Sequence, residues 1–479
     1  MIYCTVLPTT PRHVRFVSTV HQPLLASAAL LCTALPAYGD LRTIESLNEA
    51  QRNLAGTVHT ICPQLAANTT RTAQEENLFI ACNRMIHTSN ELQGAGPIDN
   101  SLGLTENQLV TAMDELTHEE TVARVTKGRD TAELQHSNIA TRLGSLRTGG
   151  TRGTGAVSLH IGDRWLAAES DPAAALRGGA AGDEDSSRLS IFISGGAGFG
   201  DKSATSREDG FTYDDLGATL GVDYALDART FVGAAAGYSR TEADFENTAD
   251  EAQTDSASVS LYGTHFMGTW FFDIIATYGE DDYDTTRDTS LLAETLNAQE
   301  SAVLQGSLPS RISSTTSGSH TGFSVGVGRN VETGPIAWSP YALYSYYSAE
   351  VDAYSEEGDS GIELTLPKQE IKSSQGILGI DVTRSISSKV GIISPQLRLE
   401  YHRQFDYDSV AYPARYKWDN TQAWWTAPSD EADHQYIVLG AGVSLVARGG
   451  MQTFAYYENV QGLHHYSANV LILGWRMEL

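Results

Sequence analysis

The chain has 479 residues, of which 41% are apolar, and its 59 acidic and 32 basic side chains give a formal net charge of −27. Length alone predicts roughly two to four domains, although barrels often run long as one domain. The acidic balance excludes a nucleic-acid-binding protein, because the chain lacks the basic stripe that neutralises phosphates.

The first 39 residues have the pattern of a secretory signal peptide. Arg12 and Arg15 lie in a segment without acidic residues, the apolar run LLASAALLCTAL follows, and Ala37 and Gly39 place small residues before a cleavage point. The apolar run is too short to span ~30 Å of hydrocarbon comfortably, which disfavours a retained membrane helix. We therefore expect export and removal of residues 1–39.

Cleavage would leave two of the four cysteines, Cys62 and Cys82. An even pair in an exported chain is most simply a disulfide, which contributes roughly 3 kcal/mol when it closes a loop of about twenty residues. Two cysteines without histidines at ligand spacing make a poor zinc site. We expect a Cys62–Cys82 disulfide, no metal site and no cofactor.

Residues 40–150 have the three- and four-residue apolar spacing of helices. Two helices joined by the cysteine pair are predicted to form a hairpin. A third helix begins in LTENQLVTAMDEL, where Thr105 and Gln108 are spaced as a capping box. A last helix is predicted at residues 134–147, and residues 151–187 form a Gly- and Ala-rich linker.

From residue 188 apolar residues recur at every second position, which is typical of strands. We count about twelve segments, beginning near residues 188, 211, 230, 254, 270, 319, 336, 369, 390, 431, 451 and 466. These segments are longer than ordinary strands, which have about five or six residues. Tight turns also alternate with long connections along the chain, and both features disfavour a soluble sandwich. In lipid, a sheet can hydrogen-bond every backbone N–H and C=O group only if it closes into a barrel. We predict an all-β transmembrane fold, a 12-stranded antiparallel outer-membrane β-barrel over residues 188–479, preceded by a small α-helical region.

A family resemblance is carried by FTYDDLGATLGVDYALDARTFVGAAAGYSRTEADFENTADEAQTDSASVSLYGTHFMGTWFFDIIATYGEDDYDTTR, which begins at Phe211. A Leu-Gly-Val-Asp-Tyr strand, a Gly-Tyr-Ser strand and a Tyr-Asp-Thr-Thr-Arg strand end follow one another in this stretch. It resembles the β-domain of the autotransporter family of type V secretion proteins, and the similarity covers roughly residues 188–479. The resemblance implies a twelve-stranded outer-membrane barrel.

The chain ends VLILGWRMEL, with apolar residues at every second position. In autotransporters the barrel assembly machinery recognises the C-terminal strand. The resemblance therefore implies an assembly signal formed by Leu471, Leu473, Trp475, Met477 and Leu479. Family members usually end in Phe or Trp, and Leu479 departs from that pattern. The resemblance also implies periplasmic chaperones, outer-membrane lipid and lipopolysaccharide as partners, with a monomeric barrel.

Members of the family thread a helix through the barrel before its first strand, and the last predicted helix is the candidate. Arg142 and Arg147 would then pair with the lumen-facing side chains of Asp223, Asp273 or Glu400. In the other interpretation this helix packs with the preceding helices, because a long linker separates it from the barrel. The sequence leaves both interpretations open.

Three functions are compatible with this organisation. The first is a translocator and anchor for the chain's own small N-terminal region. The second is a plugged or narrow passive pore with periplasmic N-terminal helices, and the third is a surface adhesin that acts through its loops. The Gly358–Gly361 segment resembles a hydrolase signature, but no histidine lies at a matching spacing. We therefore expect no enzyme activity.

Overall fold

The computed structural model describes residues 39–118, 135, 138–144, 146, 159–161, 164–166, 188–246, 248–406, 410–447 and 451–478. Within the predicted linker, Leu159–Ile161 pairs with Arg164–Leu166 as a short hairpin. The predicted signal peptide up to residue 38, Arg147 and Leu479 lie outside the described residues.

Twelve long strands of the described chain form one antiparallel sheet that closes on itself. The final strand pairs with the first, with Trp475 opposite Ile193. The predicted closed barrel is therefore confirmed. Its strands are β1 (Leu189–Lys202), β2 (Phe211–Ala225), β3 (Thr230–Phe245), β4 (Glu251–Met267), β5 (Trp270–Asp288), β6 (Arg311–Arg329), β7 (Ile336–Val351), β8 (Gln369–Arg384), β9 (Gly391–Gln404), β10 (Gln435–Ala447), β11 (Gln452–Gln461) and β12 (Tyr466–Glu478).

The side chains of each strand alternate between the outer surface and the lumen. On β2, Leu216 and Leu220 are 68% and 59% exposed on the outer surface, whereas Thr219 and Asp223 are buried inside. The outer surface is therefore apolar and the lumen polar, as in transmembrane barrels.

The two ends of the barrel differ in their connections. Tight turns such as 226–229 and 268–269 join the strands at one end, where the exposed rings of Trp270 and Trp338 lie. Exposed aromatic residues mark a bilayer interface, and short turns mark the periplasmic side of such barrels. The opposite, outer end carries the long loops 289–310, 352–368 and 405–434.

Residues 39–118 contain three α-helices: α1 (Glu49–Ala67), α2 (Ala73–Gln93) and α3 (Glu106–Asp114). Each begins at a capping box, and the one predicted from Thr105 and Gln108 is confirmed. A disulfide joins Cys62 of α1 to Cys82 of α2, whose Cα atoms are 5.9 Å apart. No helix in the described part of the chain combines the length and the apolar character needed to cross a bilayer.

The loop between β5 and β6 differs from the sequence prediction. It contains a helix, α4 (Ser290–Glu300), and β6 begins at Arg311 instead of near residue 319. The missed part of β6, RISSTTSG, has Ile312 as its one apolar side chain, so the apolar alternation that identifies a membrane strand is absent there. Strands β4 and β10 begin at Glu251 and Gln435, close to the predicted positions.

Residues 39–118, named the cap here, pack on the outer loops of the barrel. Their helices share one hydrophobic core with α4 and with a four-stranded loop sheet made by loops 352–368 and 405–434. The loop sheet consists of Tyr354–Ser355, Leu364–Leu366, Ala411–Tyr416 and Trp425–Pro428. The cap therefore lies at the outer end of the barrel.

Candidate functional site

The last predicted helix, described at residues 135, 138–144 and 146, lies inside the barrel and is named the lumen helix here. Its apolar side, with Ile139 and Leu143, packs against the barrel wall. Gly237 on β3 provides space for it, because a Cβ at that position would lie 2.1 Å from Gln135 Oε1. Of the two interpretations that the sequence left open, the structure has the helix in the lumen.

A buried ion pair between Arg142 and Asp223 attaches the lumen helix to β2. Arg142 Nε donates to Asp223 Oδ2 over 2.8 Å, and both side chains are 3% exposed. The same carboxylate accepts hydrogen bonds from the hydroxyls of Tyr262 at 2.6 Å and Ser190 at 3.1 Å. The charge of Asp223 is thus balanced by a cation and by two neutral donors, which is the condition for a tolerable buried charge.

The lumen helix runs from the outer end of the barrel toward the inner end. Asn138 Nδ2 donates to Thr219 Oγ1 over 3.0 Å, and Arg142 binds Asp223, which lies nearer to the tight turn at the end of β2. On the outer side, the cap ends its described part at His118, whose Nε2 lies 2.8 Å from the Tyr412 carbonyl oxygen. The described residues thus place His118 of the cap at the outer end of the barrel and Arg142 of the lumen helix toward its inner end.

Asp273 and Glu400, the other lumen carboxylates predicted from the sequence, lie on β5 and β9. Asp273 is opposite Thr264 of β4. Glu400 accepts a hydrogen bond from the Tyr341 hydroxyl and lies 2.9 Å from His402 Nε2. The partners of Glu400 among the described residues belong to the barrel wall and not to the lumen helix.

Sequence reasoning missed Arg398, which organises a second cluster in the lumen. Its Nε donates to Asp381 over 2.8 Å, and its Nη1 lies 3.3 Å from Glu458 Oε1. A Cβ on Gly144 would lie 3.7 Å from the Arg398 guanidinium, so this cluster borders the lumen helix. The signal was present in the sequence, since Arg398 and two further titratable residues occupy alternate positions on β9.

The outer half of the lumen contains a chamber of about 1110 Å³ that is lined by polar and apolar side chains. His402 stacks on Tyr436 in its wall, with ring centroids 4.6 Å apart, and the Tyr436 hydroxyl donates to Gln375 over 3.0 Å. Across the described residues, no group of three or more His, Cys, Asp and Glu side chains is arranged to hold a metal ion. The chamber has the volume to hold many water molecules, and its polar side chains offer them hydrogen bonds.

Arg287, the last residue of the YDTTR motif, connects the barrel to the cap. It is 1% exposed and binds both carboxylate oxygens of Glu356 in loop 352–368, at 2.8 and 2.6 Å. Its remaining donors bind the carbonyl oxygens of Glu115 in the cap and Ile362 in the loop. One buried guanidinium therefore joins a barrel strand, an outer loop and the cap.

The Gly358–Gly361 segment also takes part in docking. The Ser360 hydroxyl donates to the Glu363 carboxylate over 2.5 Å, and the Ser360 carbonyl accepts a 2.8 Å hydrogen bond from Asn77 of α2. Burial of Glu363 is outweighed by hydrogen bonds from Ser360 and Gly361, so the pKa of this carboxyl lies below its usual value. The described contacts of this segment hold the loop against α2.

The C-terminal strand has the alternation expected from the sequence. Leu471 and Leu473 are exposed on the outer surface, Trp475 and Met477 are half-buried in the same series, and Ile472 is fully buried. The outward series therefore faces lipid along β12.

A family model described as autotransporter β-domain matches residues 191–458. Among curated proteins, Outer membrane protein A of Rickettsia conorii is 25% identical over 223 residues, which is 45% of this chain and 10% of that protein. The chain thus spans about a tenth of the length of this relative.

Several solved structures are similar to the barrel. The translocator domain of the autotransporter NalP from Neisseria meningitidis matches with a TM-score of 0.47 and 17% identity, over 62% of this chain and 90% of that one. The β-domain of the Bordetella autotransporter BrkA matches with a TM-score of 0.44 and 16% identity, over 61% of this chain and 100% of that one.

Proposed function

The chain belongs to the autotransporter family, whose β-domain model covers more than half of it, and on that premise we propose that the barrel anchors residues 39–118 at the cell surface as a permanently docked cap. The barrel lies in the outer membrane of a Gram-negative cell and has the translocator and anchor role of its family. The observation that carries the proposal is the hydrophobic core shared by the cap and the outer loops.

The nature of this core favours a cap that stays bound over a passenger that is released. Leu296 of α4 and Trp425 of the loop sheet are buried against the cap, and release would expose both to water. Release would also leave the Arg287–Glu356 pair without the Glu115 carbonyl. A passive pore with periplasmic helices would require the cap to leave this core, so we favour the anchored cap.

Protease accessibility on intact cells tests the proposal. An epitope tag inserted between Thr69 and Thr70, in the exposed turn between α1 and α2, should be bound by antibody and cleaved by added protease. The matched control carries the same tag in the exposed periplasmic turn at 386–390 and should stay protected until the outer membrane is broken. A cap tag that is protected like the control would contradict surface display.

Insertion by the barrel assembly machinery is general in this family. For this chain, we infer that the lipid-facing series Leu471, Leu473 and Trp475 presents the strand that is recognised, that periplasmic chaperones deliver it, and that the barrel is a monomer. Leu479→Phe should then increase the fraction of assembled barrel in pulse-chase experiments, and an unchanged fraction would argue against a terminal signal.

Barrels of this family are generally non-enzymatic. We infer the same for this chain, since the hydroxyl of Ser360 is engaged with Glu363 and both serve the docking of the cap. Esterase and peptidase assays on the folded protein, with Ser360→Ala as the comparison, test this inference. Activity that Ser360→Ala abolishes would contradict it.

A further inference from the structure

A shallow apolar groove of about 540 Å³ runs across the lipid-facing surface of β6 to β9. Two adjacent rows of outward residues form it. In the first row Ala342 of β7 lies between Val327 and Leu378, and in the second Gly376 of β8 lies between Tyr344 and Arg403. Ala342 forms the floor of the first row, and its larger neighbours form the walls. In the second row the Phe405 ring covers Gly376, because a Cβ there would lie 3.1 Å from it, and it stacks on Tyr344, so this ring closes the outer end of the groove beside Arg403.

Arg403 lies at the outer edge of this groove. The outward residues that precede it on β9, Leu397, Leu399 and Tyr401, are all exposed to the lipid side. The Tyr401 hydroxyl donates to Gln435 over 2.7 Å, as expected for a tyrosine at the boundary between hydrocarbon and headgroups. Two residues farther out, the Arg403 guanidinium therefore lies at headgroup level.

Nothing in the described part of the protein pairs with Arg403 through a hydrogen bond or a salt bridge. Asp406, the nearby carboxylate in sequence, accepts a hydrogen bond from Ser374. An arginine at headgroup level without a protein carboxylate is suited to a lipid phosphate, because the planar guanidinium binds phosphate through two parallel hydrogen bonds.

We propose that this groove is a binding site for lipid A, the phosphorylated anchor of lipopolysaccharide in the outer leaflet, with one acyl chain in the groove and a phosphate on Arg403. The apolar walls match the chain, and the cation matches the phosphate at the depth where lipids carry it. The proposal rests on the outer-membrane position of the barrel and is independent of whether the cap remains docked.

The barrel offers a matched control on its other side. Arg240 of β3 follows the exposed Tyr238 by two residues, just as Arg403 follows Tyr401. Its Nε, however, donates to Asp255 over 2.7 Å, so this arginine already has a carboxylate partner. Arg240→Gln therefore removes an exposed arginine at the same level without removing a proposed lipid site.

Native mass spectrometry of the full-length folded protein in detergent, titrated with purified lipid A, tests the site. Arg403→Gln should weaken binding of the first lipid A about tenfold, since it removes charge-assisted hydrogen bonds. Ala342→Leu should weaken it by filling the groove, and Arg240→Gln should bind like the unmodified protein. Heat-dependent electrophoretic mobility verifies that each variant is folded.

Lipid A without phosphates separates the two contributions. It should bind the unmodified protein as weakly as lipid A binds the Arg403→Gln variant, and Ala342→Leu should weaken it further. Equal binding by the unmodified protein and the Arg403→Gln variant, or equal binding of the two lipids, would overturn the proposal. Those results would mean that the groove takes any lipid of the surrounding leaflet.

Discussion

The Glu115 carboxylate accepts a hydrogen bond of 2.8 Å from the backbone N–H of Leu291, at the start of α4. Its second oxygen accepts a 2.8 Å bond from the next N–H, that of Leu292. Thr289, the residue before α4, makes no side-chain capping bond. The cap thus supplies the N-terminal capping group that the loop helix lacks, and the two parts complete each other's hydrogen bonding.

The free energy that this contact contributes to cap docking should fall as the pH rises, because the two N–H bonds offset only part of the cost of burying a charged Glu115. Burial raises the pKa of Glu115 to about 7 from an ordinary value of 4.5. Between these values the folded carboxyl keeps a proton that the unfolded chain releases, so the free energy of unfolding falls as the pH rises through this window. Burial also raises the pKa of Asp250, which accepts a bond from the Asp288 N–H, to about 6, and the effect has the same sign.

Hydrogen exchange at Leu291 and Leu292, corrected for intrinsic rates, measures that effect. Protection should decrease between pH 5 and pH 8 in the unmodified protein. It should decrease less in Glu115→Gln, which keeps an acceptor oxygen without a titrating group. Identical pH dependence in the two proteins would show that Glu115 does not control the contact.

Arg287→Gln should release the cap while the barrel stays folded. The substitution leaves the Glu356 carboxylate, 4% exposed, without its cation, and breaking such a buried pair costs roughly 3–5 kcal/mol. Protease cleavage of a tagged cap, together with heat-dependent mobility of the barrel, measures the two parts separately. Arg311→Gln is the control, since its 3.7 Å pair with Glu251 is exposed and contributes about 1 kcal/mol or less. Cleavage at the same rate in both variants would contradict the role of Arg287.

The barrel could be predicted from the sequence because a strand in a bilayer has a strict local pattern. Outward residues such as Leu216 and Leu471 meet hydrocarbon, so an alternation of period two persists wherever the strand is in the membrane. Where β6 rises above the membrane, from Arg311, its outer face no longer meets hydrocarbon, Ile312 is buried in the core shared with the cap, and the alternation of the membrane part disappears. The sequence therefore predicts the membrane part of each strand better than its outer end.

The docking of the cap could not be predicted in this way. Glu115 and Leu291 are 176 positions apart in the chain, and Asn77 and Ser360 are 283 apart. Nothing in the local periodicity of either segment indicates its partner. By contrast, the Arg142 contact could be predicted, because the family resemblance implies a lumen helix and few lumen carboxylates could pair with its arginines.

Arg142→Ala should loosen the lumen helix. It would leave Asp223 as a buried anion with only the hydroxyl donors of Tyr262 and Ser190, and the barrel relieves that cost most easily by admitting water. Amide exchange of the lumen helix, followed by mass spectrometry, should accelerate several-fold. The double variant Arg142→Gln with Asp223→Asn has neutral partners and should exchange more slowly than Arg142→Ala. Equal exchange in Arg142→Ala and the unmodified protein would mean that the ion pair does not hold the helix.

Gly361→Ala should weaken cap docking through a steric clash. A Cβ at Gly361 would lie 2.4 Å from the Gln74 carbonyl oxygen of α2, and the backbone φ is +109°. Gly306→Ala is the matched control, because that loop glycine has φ +91° but a Cβ there meets nothing within 4 Å. Both variants carry the conformational cost of about 1–2 kcal/mol for a left-handed residue, and only Gly361→Ala carries the clash with α2. Protease cleavage of the tagged cap should therefore be faster in Gly361→Ala than in Gly306→Ala, and equal rates would show that the cap does not press on this loop.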